Sequence, residues 1–116
     1  MIWRIRSRKV FGQLRDEGRR VRSGPVRMTF VALPSPQPQV AMALGRRFGT
    51  AVERNRARRR LRSAFGAAWQ SGAGPAGAYL LTGNRSLLTM PFEKLVTRID
   101  ECLAAAGESA IGAPRT

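Results

Sequence analysis

The sequence contains no histidine and only one cysteine, Cys102. A disulfide within the chain needs two cysteines, and the usual zinc sites need several cysteine or histidine ligands, so neither is expected. The commonest general base of enzymes is also missing. Asp16, Glu17, Asp100 and Glu101 are scattered, as in solvated helix ends, and do not form an acid–base pair. We therefore predict no catalytic group, no metal site and no bound cofactor in the protein itself.

Acidic residues are also scarce, because 7 Asp and Glu stand against 21 Lys and Arg, which gives a formal net charge of +14. A compact domain with so much uncompensated positive charge is expected to bind a polyanion: nucleic acid first, an anionic membrane surface second. Nearly all of the basic residues are arginine, whose planar guanidinium suits bidentate contacts to phosphate and stacking on bases.

Long apolar runs are missing as well, although 43% of the residues are hydrophobic. No stretch has the length of a signal peptide or a transmembrane helix, so we predict a cytoplasmic protein with no membrane segment. The 116 residues fit one folded domain. We expect an ordered core over about residues 7–106 and a flexible tail over residues 107–116.

Capping and turn residues divide the chain into helices and strands. Ser7 is a good N-cap for a first helix that ends at Gly18, and Pro91 opens the last helix. The segment 34–39 contains three prolines, so we predict a hairpin loop that joins two antiparallel strands. The predicted elements are a helix over 8–17, a strand or extended link over 19–22, strands over 26–33 and 40–45, a helix over 51–70, a strand over 78–82, and a helix from 91 whose core face carries Phe92, Leu95, Val96, Ile99, Cys102 and Leu103.

The helix over residues 51–70 carries most of the chemistry. Thr50 and Glu53 have the spacing of a capping box, which marks its N-terminus. At about 100° per residue, the apolar stripe of Ala57, Leu61 and Phe65 faces the core. The opposite arc carries Asn55, Arg56, Arg59, Arg60 and Arg62, whereas Arg54 and Arg58 continue the apolar stripe and are predicted to border a groove.

Residues 54–62 form an arginine cluster, since six of these nine residues are arginine. No acidic residue lies four positions away within the cluster, and Glu53 can reach only Arg56 or Ala57 at helical spacing, so at most one arginine is paired. Charge of a single sign favours polyanion binding over a merely solvated helix face. Arg46 and Arg47 precede the helix and extend the same patch. The spacing shows no helix-turn-helix, zinc module or leucine zipper, so RNA is the preferred target.

Residues 46–62 resemble the protein subunit of bacterial ribonuclease P. A basic pair, Arg46 and Arg47, is followed by a segment similar to the family signature Gly-x-Ala-Val-x-Arg-Asn-Arg, and then by the basic run that ends at Arg62. Phe11 and Gly18 in the first helix region agree with the family in order and spacing. The resemblance covers about residues 7–106.

The resemblance implies a single α+β domain, an α/β sandwich of order αβββαβα, whose four-stranded sheet contains an unusual left-handed βαβ crossover. General rules for such units favour the right-handed form. It also implies a protein cofactor that is a monomer in the absence of RNA. The catalytic groups are expected in a large RNA subunit, which uses bound Mg²⁺ to cleave precursor tRNA and leave the mature 5′ end.

Two sets of contacts follow from the resemblance. The RNA subunit is expected to contact the basic residues of the signature and their neighbours: Arg46, Arg47, Arg54, Asn55, Arg56, Arg58, Arg59, Arg60 and Arg62. The 5′ leader of the precursor is expected in a cleft between the first helix and the sheet. Single-stranded RNA suits an aromatic and apolar platform in a positive cleft. The candidates are Phe11, Arg15, Met28, Phe30, Met42 and Leu44, although each apolar one could belong to the core.

Two positions depart from the family pattern. Arg15 stands where the family often has a second aromatic, and Gly45 where it often has serine. Arg15 retains the ability to stack on a base or bind phosphate. Two other functions remain open: a ribosomal-type structural RNA binder, which needs no cleft, and a peripheral membrane protein, which would need an apolar helix face free for lipid.

Overall fold

The computed structural model describes residues 3–5, 7–34, 37–71 and 74–111. Two short 3-10 turns, Arg46–Phe48 and Arg85–Leu88, accompany eight regular elements. In chain order these are β1 (Trp3–Arg4), α1 (Arg8–Glu17), β2 (Arg19–Ser23), β3 (Val26–Ala32), β4 (Gln39–Met42), α2 (Ala51–Ser71), β5 (Gly77–Gly83) and α3 (Phe92–Ile111).

Local side-chain chemistry fixes both ends of α1. The Ser7 hydroxyl oxygen accepts hydrogen bonds from the backbone N–H groups of Lys9 and Val10, at 3.1 and 3.4 Å. At the other end the Gly18 N–H donates to the Leu14 carbonyl. A Cβ at Gly18 would lie 2.3 Å from that carbonyl oxygen and 2.4 Å from the Thr29 methyl. The first predicted helix is confirmed, and only glycine fits where it ends.

The five strands form one mixed sheet in the order β1-β4-β5-β3-β2. The four predicted strands are present, and the two-residue β1 adds to one edge by pairing parallel to β4. The predicted hairpin between β3 and β4 is wrong, because β5 lies between them, parallel to β4 and antiparallel to β3. Tyr79 and Leu81 of β5 are fully buried, and such an apolar strand is most stable at the centre of a sheet.

The connection from β4 through α2 to β5 is a left-handed crossover. Val40 and Leu81 both point toward α2. The Val40 carbonyl accepts a hydrogen bond from Ile5 N–H beside β1, and the Leu81 carbonyl accepts one from Ala43 N–H, just after β4. When a strand of L-residues runs upward and a side chain points toward the viewer, the backbone carbonyl of the same residue points to the right. Seen from α2, β5 therefore lies to the left of β4, which makes the crossover left-handed. The resemblance implied this hand, although βαβ units are generally right-handed.

The helices cover both faces of the sheet. The larger core joins the sheet to α2 and α3, and it contains the ring contacts of Phe30 with Tyr79 and of Phe65 with Trp69. A smaller core around Leu14 and Ala78 joins the other face to α1. The predicted apolar side of α2 is confirmed, because Ala57, Leu61, Ala64, Phe65 and Ala68 are fully buried.

The last helix differs from its prediction in two respects. Leu95, Ile99, Cys102 and Leu103 are buried and Val96 packs against the same core, but Phe92 is 43% exposed and does not belong to the core face. The helix also continues through Gly107 to Ile111, where a frayed end was expected. The last five positions of the predicted tail, 112–116, lie outside the described residues. No helix in the described ranges combines the length and apolarity needed to cross a membrane.

Candidate nucleic-acid interface

The N-terminus of α2 is held by reciprocal hydrogen bonds. The Thr50 N–H donates to Glu53 Oε1 at 2.9 Å, and the Glu53 N–H donates to Thr50 Oγ1 at 3.1 Å. These bonds satisfy two backbone donors that the first helical turn would otherwise leave free. The predicted capping box is confirmed, so the first turn of the arginine cluster starts from a fixed position.

Glu53 pairs with Arg85, which lies 32 positions away in the second 3-10 turn. Arg85 Nη1 and Nη2 donate to the two carboxylate oxygens at 2.9 and 2.7 Å, and Nη1 also donates to the Phe48 carbonyl at 2.9 Å. The Arg85 hydrogen bond is the largest cause, followed by the Thr50 N–H, of a Glu53 pKa lowered to about 2. This clamp joins the turn that carries Arg46 and Arg47 to α2. Glu53 is therefore not available to the arginine cluster.

Most of the predicted RNA-subunit residues are exposed, on the first 3-10 turn and on α2. Arg46 and Arg47 lie on the turn, and Arg56, Arg59 and Arg62 on the outer side of α2. In the described part of the chain, none of these five guanidinium groups forms an ion pair. We call these five residues the α2 basic face. No carboxylate of a described residue pairs with this charge, and uncompensated positive charge favours polyanion binding.

Arg60 departs from its predicted position on this arc. Its side chain is half-buried, and Nη2 donates to the Met90 carbonyl before α3. Its Nε is buried and has no hydrogen-bond partner among the described residues. The guanidinium is thus used to join α2 to the segment before α3. Helical phasing could not show this contact, because it depends on where the chain returns thirty residues later.

Arg58 borders a groove, as its place on the apolar stripe predicted. The groove lies at the β1–β4 edge, has a volume of about 340 Å³, and is lined by Arg4, Ile5, Val40, Ala41, Met42, Arg58 and Arg62. Asn55 Oδ1 accepts a hydrogen bond from Arg58 Nη1 at 3.0 Å, so Asn55 orients this arginine. Arg54, also on that stripe, is half-buried.

Two of the predicted leader residues lie on α1, at the position of the predicted leader cleft, which we call the α1 cleft. Phe11 is 40% exposed, although it is large and apolar. Arg15, one helical turn further on, is exposed, and its Nε lies 3.2 Å from Asp16 Oδ1. The sheet register places Thr29, Leu80 and Ala41 side by side on the face that α1 covers. These three residues were not predicted as leader contacts. The signal that could have found them is the alternation of side chains along a strand, which places Thr29 on the opposite face from Met28.

The other four predicted leader residues do not line this cleft, and their assignment to it is corrected. Met28, Phe30 and Leu44 are only 1%, 3% and 7% exposed, and they lie in the core under α2 and α3. Met42 is half-buried against the same core and lines the edge groove instead. Alternate residues of a strand face opposite sides, so Met28 and Phe30 cannot share a face with Thr29.

Comparison with known proteins gives one consistent result. The sequence matches the family model described as Ribonuclease P over residues 2–107. It is 38% identical over 89 residues to the ribonuclease P protein component of Coprothermobacter proteolyticus, covering 75% of this chain and 70% of that one. The corresponding protein of Symbiobacterium thermophilum is 33% identical over 107 residues, covering 90% and 91%.

Solved structures agree at the level of the fold. The RNase P protein from Thermotoga maritima matches with a TM-score of 0.73 at 20% identity, over 88% of this chain and 96% of that one. The Staphylococcus aureus RNase P protein matches with a TM-score of 0.72 at 16% identity, over 90% and 94%. At such low identity the structural match supports the order of elements and the sheet topology.

Proposed function

The chain belongs to the ribonuclease P protein family, and we propose that in this role it binds the catalytic RNA subunit and the 5′ leader of precursor tRNA. Family membership makes it a component of the endonucleolytic processing of tRNA. What we propose beyond this is that catalysis belongs to the RNA subunit and that the protein contacts two RNAs, the RNA subunit and the leader. One observation carries it: the α2 basic face, with its five exposed guanidinium groups, has no carboxylate partner among the described residues.

Docking of the RNA subunit follows from this surface. Arginine donates in a planar fork that fits phosphate oxygens, and each phosphate neutralised on an RNA duplex releases bound counterions. The capping box and the Glu53–Arg85 clamp hold the turn and the helix in fixed relation, so the backbone positions that carry the five arginines are set before the RNA binds. Such preorganisation lowers the entropic cost of binding.

The leader is proposed to bind between α1 and the sheet. Unpaired bases stack on aromatic side chains, and the exposed Phe11 side chain on α1 offers such a surface. Arg15 is positioned one turn away to contact the phosphate backbone or to stack on a base. The sheet side of the cleft, with Thr29, Ala41 and Leu80, is mostly apolar. It therefore suits bases, whose faces are apolar, better than phosphates.

Catalysis is proposed to reside in the RNA subunit, with Mg²⁺ acting there. In the ranges that the structure describes, no three His, Cys, Asp or Glu residues are grouped so that they could hold a metal ion. We therefore assign no metal-dependent step to the described protein residues. The contribution of the protein is to bind and orient the two RNAs.

Reconstitution tests this function. Purified protein is mixed with ribonuclease P RNA at a Mg²⁺ concentration too low for the RNA alone to be active. Cleavage of precursor tRNA at the mature 5′ end is expected to return with the wild-type protein. A variant lacking Arg56, Arg59 and Arg62 is expected to need a much higher protein concentration, and a wild-type protein that restores no cleavage would refute the proposal.

The two other functions account for fewer observations. A structural RNA binder would explain the α2 basic face but gives no role to the exposed aromatic side chain of Phe11 on α1. A peripheral membrane protein would need the apolar side of α2 free for lipid, and Ala57, Leu61 and Phe65 on that side are fully buried.

A further inference from the structure

Val52 is an exposed apolar residue among the arginines of the α2 basic face. It is 76% exposed, more than any other large hydrophobic residue in the part of the chain that the structure describes. It packs against neither of the two hydrophobic cores. Its β-branched side chain also lowers helix propensity. Neither packing nor helix propensity therefore accounts for a valine here, and its methyl groups are open to a partner.

Helical geometry places Val52 in line with two arginines. Arg56 and Arg59 follow it by four and seven positions, so the three residues lie within about 60° of one another around the helix and within about 10 Å along it. All three are exposed, and neither arginine forms an ion pair with a described residue. We call these three residues the Val52 ridge. Val52 is its first member, at the end of α2 that follows the turn of Arg46 and Arg47.

The charge around Val52 restricts the partner that can cover it. A second copy of this chain, docked face to face, would oppose the arginines of two α2 basic faces, and like charges repel. A lipid surface would need a wide apolar helix face, and the apolar side of α2 is buried. An RNA helix offers both kinds of contact, because its wide, shallow minor groove exposes riboses and base edges between two lines of phosphates. An apolar side chain in line with arginines matches this pattern.

We propose that Val52 packs against riboses and base edges in the shallow minor groove of a helix of the RNA subunit, while Arg56 and Arg59 contact phosphates of the same helix. This inference rests on the proposed function, because it names one contact within the surface that docks the RNA subunit. A contact that neutralises no phosphate releases no counterion, so the contribution of Val52 to affinity is independent of salt. Packing of methyl groups depends on shape, and it fixes the position of the protein on the RNA more closely than charge alone does.

The test measures the affinity of the protein for the ribonuclease P RNA subunit over a range of salt concentrations. V52A removes two methyl groups, and from the usual effect of burying apolar groups it is expected to weaken binding about tenfold at every salt concentration. The slope of log affinity against log salt is expected to stay at its wild-type value. R56A, measured in parallel, is expected to lower that slope, because it removes a phosphate contact.

Hydroxyl-radical footprinting of the RNA subunit locates the contact, since these radicals attack riboses that are open to solvent. The wild-type protein and V52A are compared at concentrations that saturate the RNA. V52A is expected to lose protection of riboses within a base-paired stretch, with the rest of the footprint unchanged.

Phe92→Ala is the matched control. Among the described residues, Phe92 is the other exposed large hydrophobic residue outside the α1 cleft, but it lies on α3 and not on the Val52 ridge. This variant is expected to leave the affinity for the RNA subunit unchanged. Thermal unfolding without RNA checks the fold: the Tm of V52A is expected to be equal to or slightly above that of the wild type, because alanine has the higher helix propensity.

Four results would overturn the inference. Unchanged affinity of V52A beside a loss for R56A would show that the ridge binds through charge alone. A lower salt slope for V52A, or an equal loss of affinity for Phe92→Ala, would mean that the effect does not come from an apolar contact at Val52. Loss of protection confined to unpaired nucleotides would place the contact outside a minor groove. Failure of the wild-type protein to bind the RNA subunit would instead refute the proposed function, and this inference with it.

Discussion

Arg56 and Arg60 are four residues apart in α2, yet the structure gives them different tasks. Arg56 is exposed and forms no ion pair with a described residue, whereas Arg60 donates to the Met90 carbonyl from a half-buried position. Arg60→Ala removes a hydrogen bond from a charged donor, which is usually worth about 1.5–3 kcal/mol. It also removes the buried Nε, which has no hydrogen-bond partner among the described residues. Losing this unsatisfied group offsets part of the lost stability. We expect a net destabilisation of about 1 kcal/mol, or roughly 4 °C in Tm for a chain of this length.

Arg56→Ala should change the free energy of unfolding by less than about 0.5 kcal/mol, because the side chain is exposed and forms no ion pair or hydrogen bond with a described residue. Its effect should appear with RNA, as weaker binding of the RNA subunit and a loss of roughly 0.9 from the salt slope for one duplex phosphate. The assays are thermal unfolding without RNA and binding of the RNA subunit over a range of salt concentrations. Arg60→Ala with an unchanged Tm, or Arg56→Ala with an unchanged slope, would refute this division.

Three other changes test separate parts of the structure. Glu53 has a pKa of about 2 when folded, below its usual value, so its contribution to stability is complete above about pH 4.5 and is lost as the pH falls toward 2. Glu53→Gln should flatten the dependence of unfolding free energy on pH in that window, and an unaltered dependence would contradict the clamp with Arg85. Phe11→Ala should weaken binding of precursors with a leader more than of leaderless tRNA; an equal loss would place Phe11 outside the leader site. Leu61→Ala should cost about 2–5 kcal/mol in urea unfolding, since Leu61 is fully buried, and a loss below about 1 kcal/mol would mean that the core collapses around it.

The local features of this protein could be predicted from its sequence. The ends of α1 depend on Ser7 and Gly18, and the start of α2 depends on Thr50 and Glu53, all of which act within four residues of the chain. Helical phasing also identified the buried side of α2, because a period of 3.6 residues is a property of the helix alone.

The remaining features depend on contacts between distant parts of the chain. The position of β5 between β3 and β4 could not be read from the proline-rich loop, since strand order depends on packing between elements that are distant in the sequence. Which side of the sheet Met28 and Phe30 face could be predicted only with the position of α1 known. The partners of Glu53 and Arg60 are Arg85 and the Met90 carbonyl, some thirty residues further on, which helical spacing cannot reach.

The α2 basic face is proposed to dock the catalytic RNA, and the α1 cleft is proposed to hold the leader. Cys102 is buried, and burial raises its pKa to about 11, so its thiol does not compete for labelling. An iron chelate that generates hydroxyl radicals can therefore be attached selectively to R59C or to F11C, and each labelled protein assembled with the RNA subunit and precursor tRNA. We expect cleavage of the RNA subunit from position 59 and of the 5′ leader from position 11. Cleavage of the leader from position 59 with none in the RNA subunit would contradict the account.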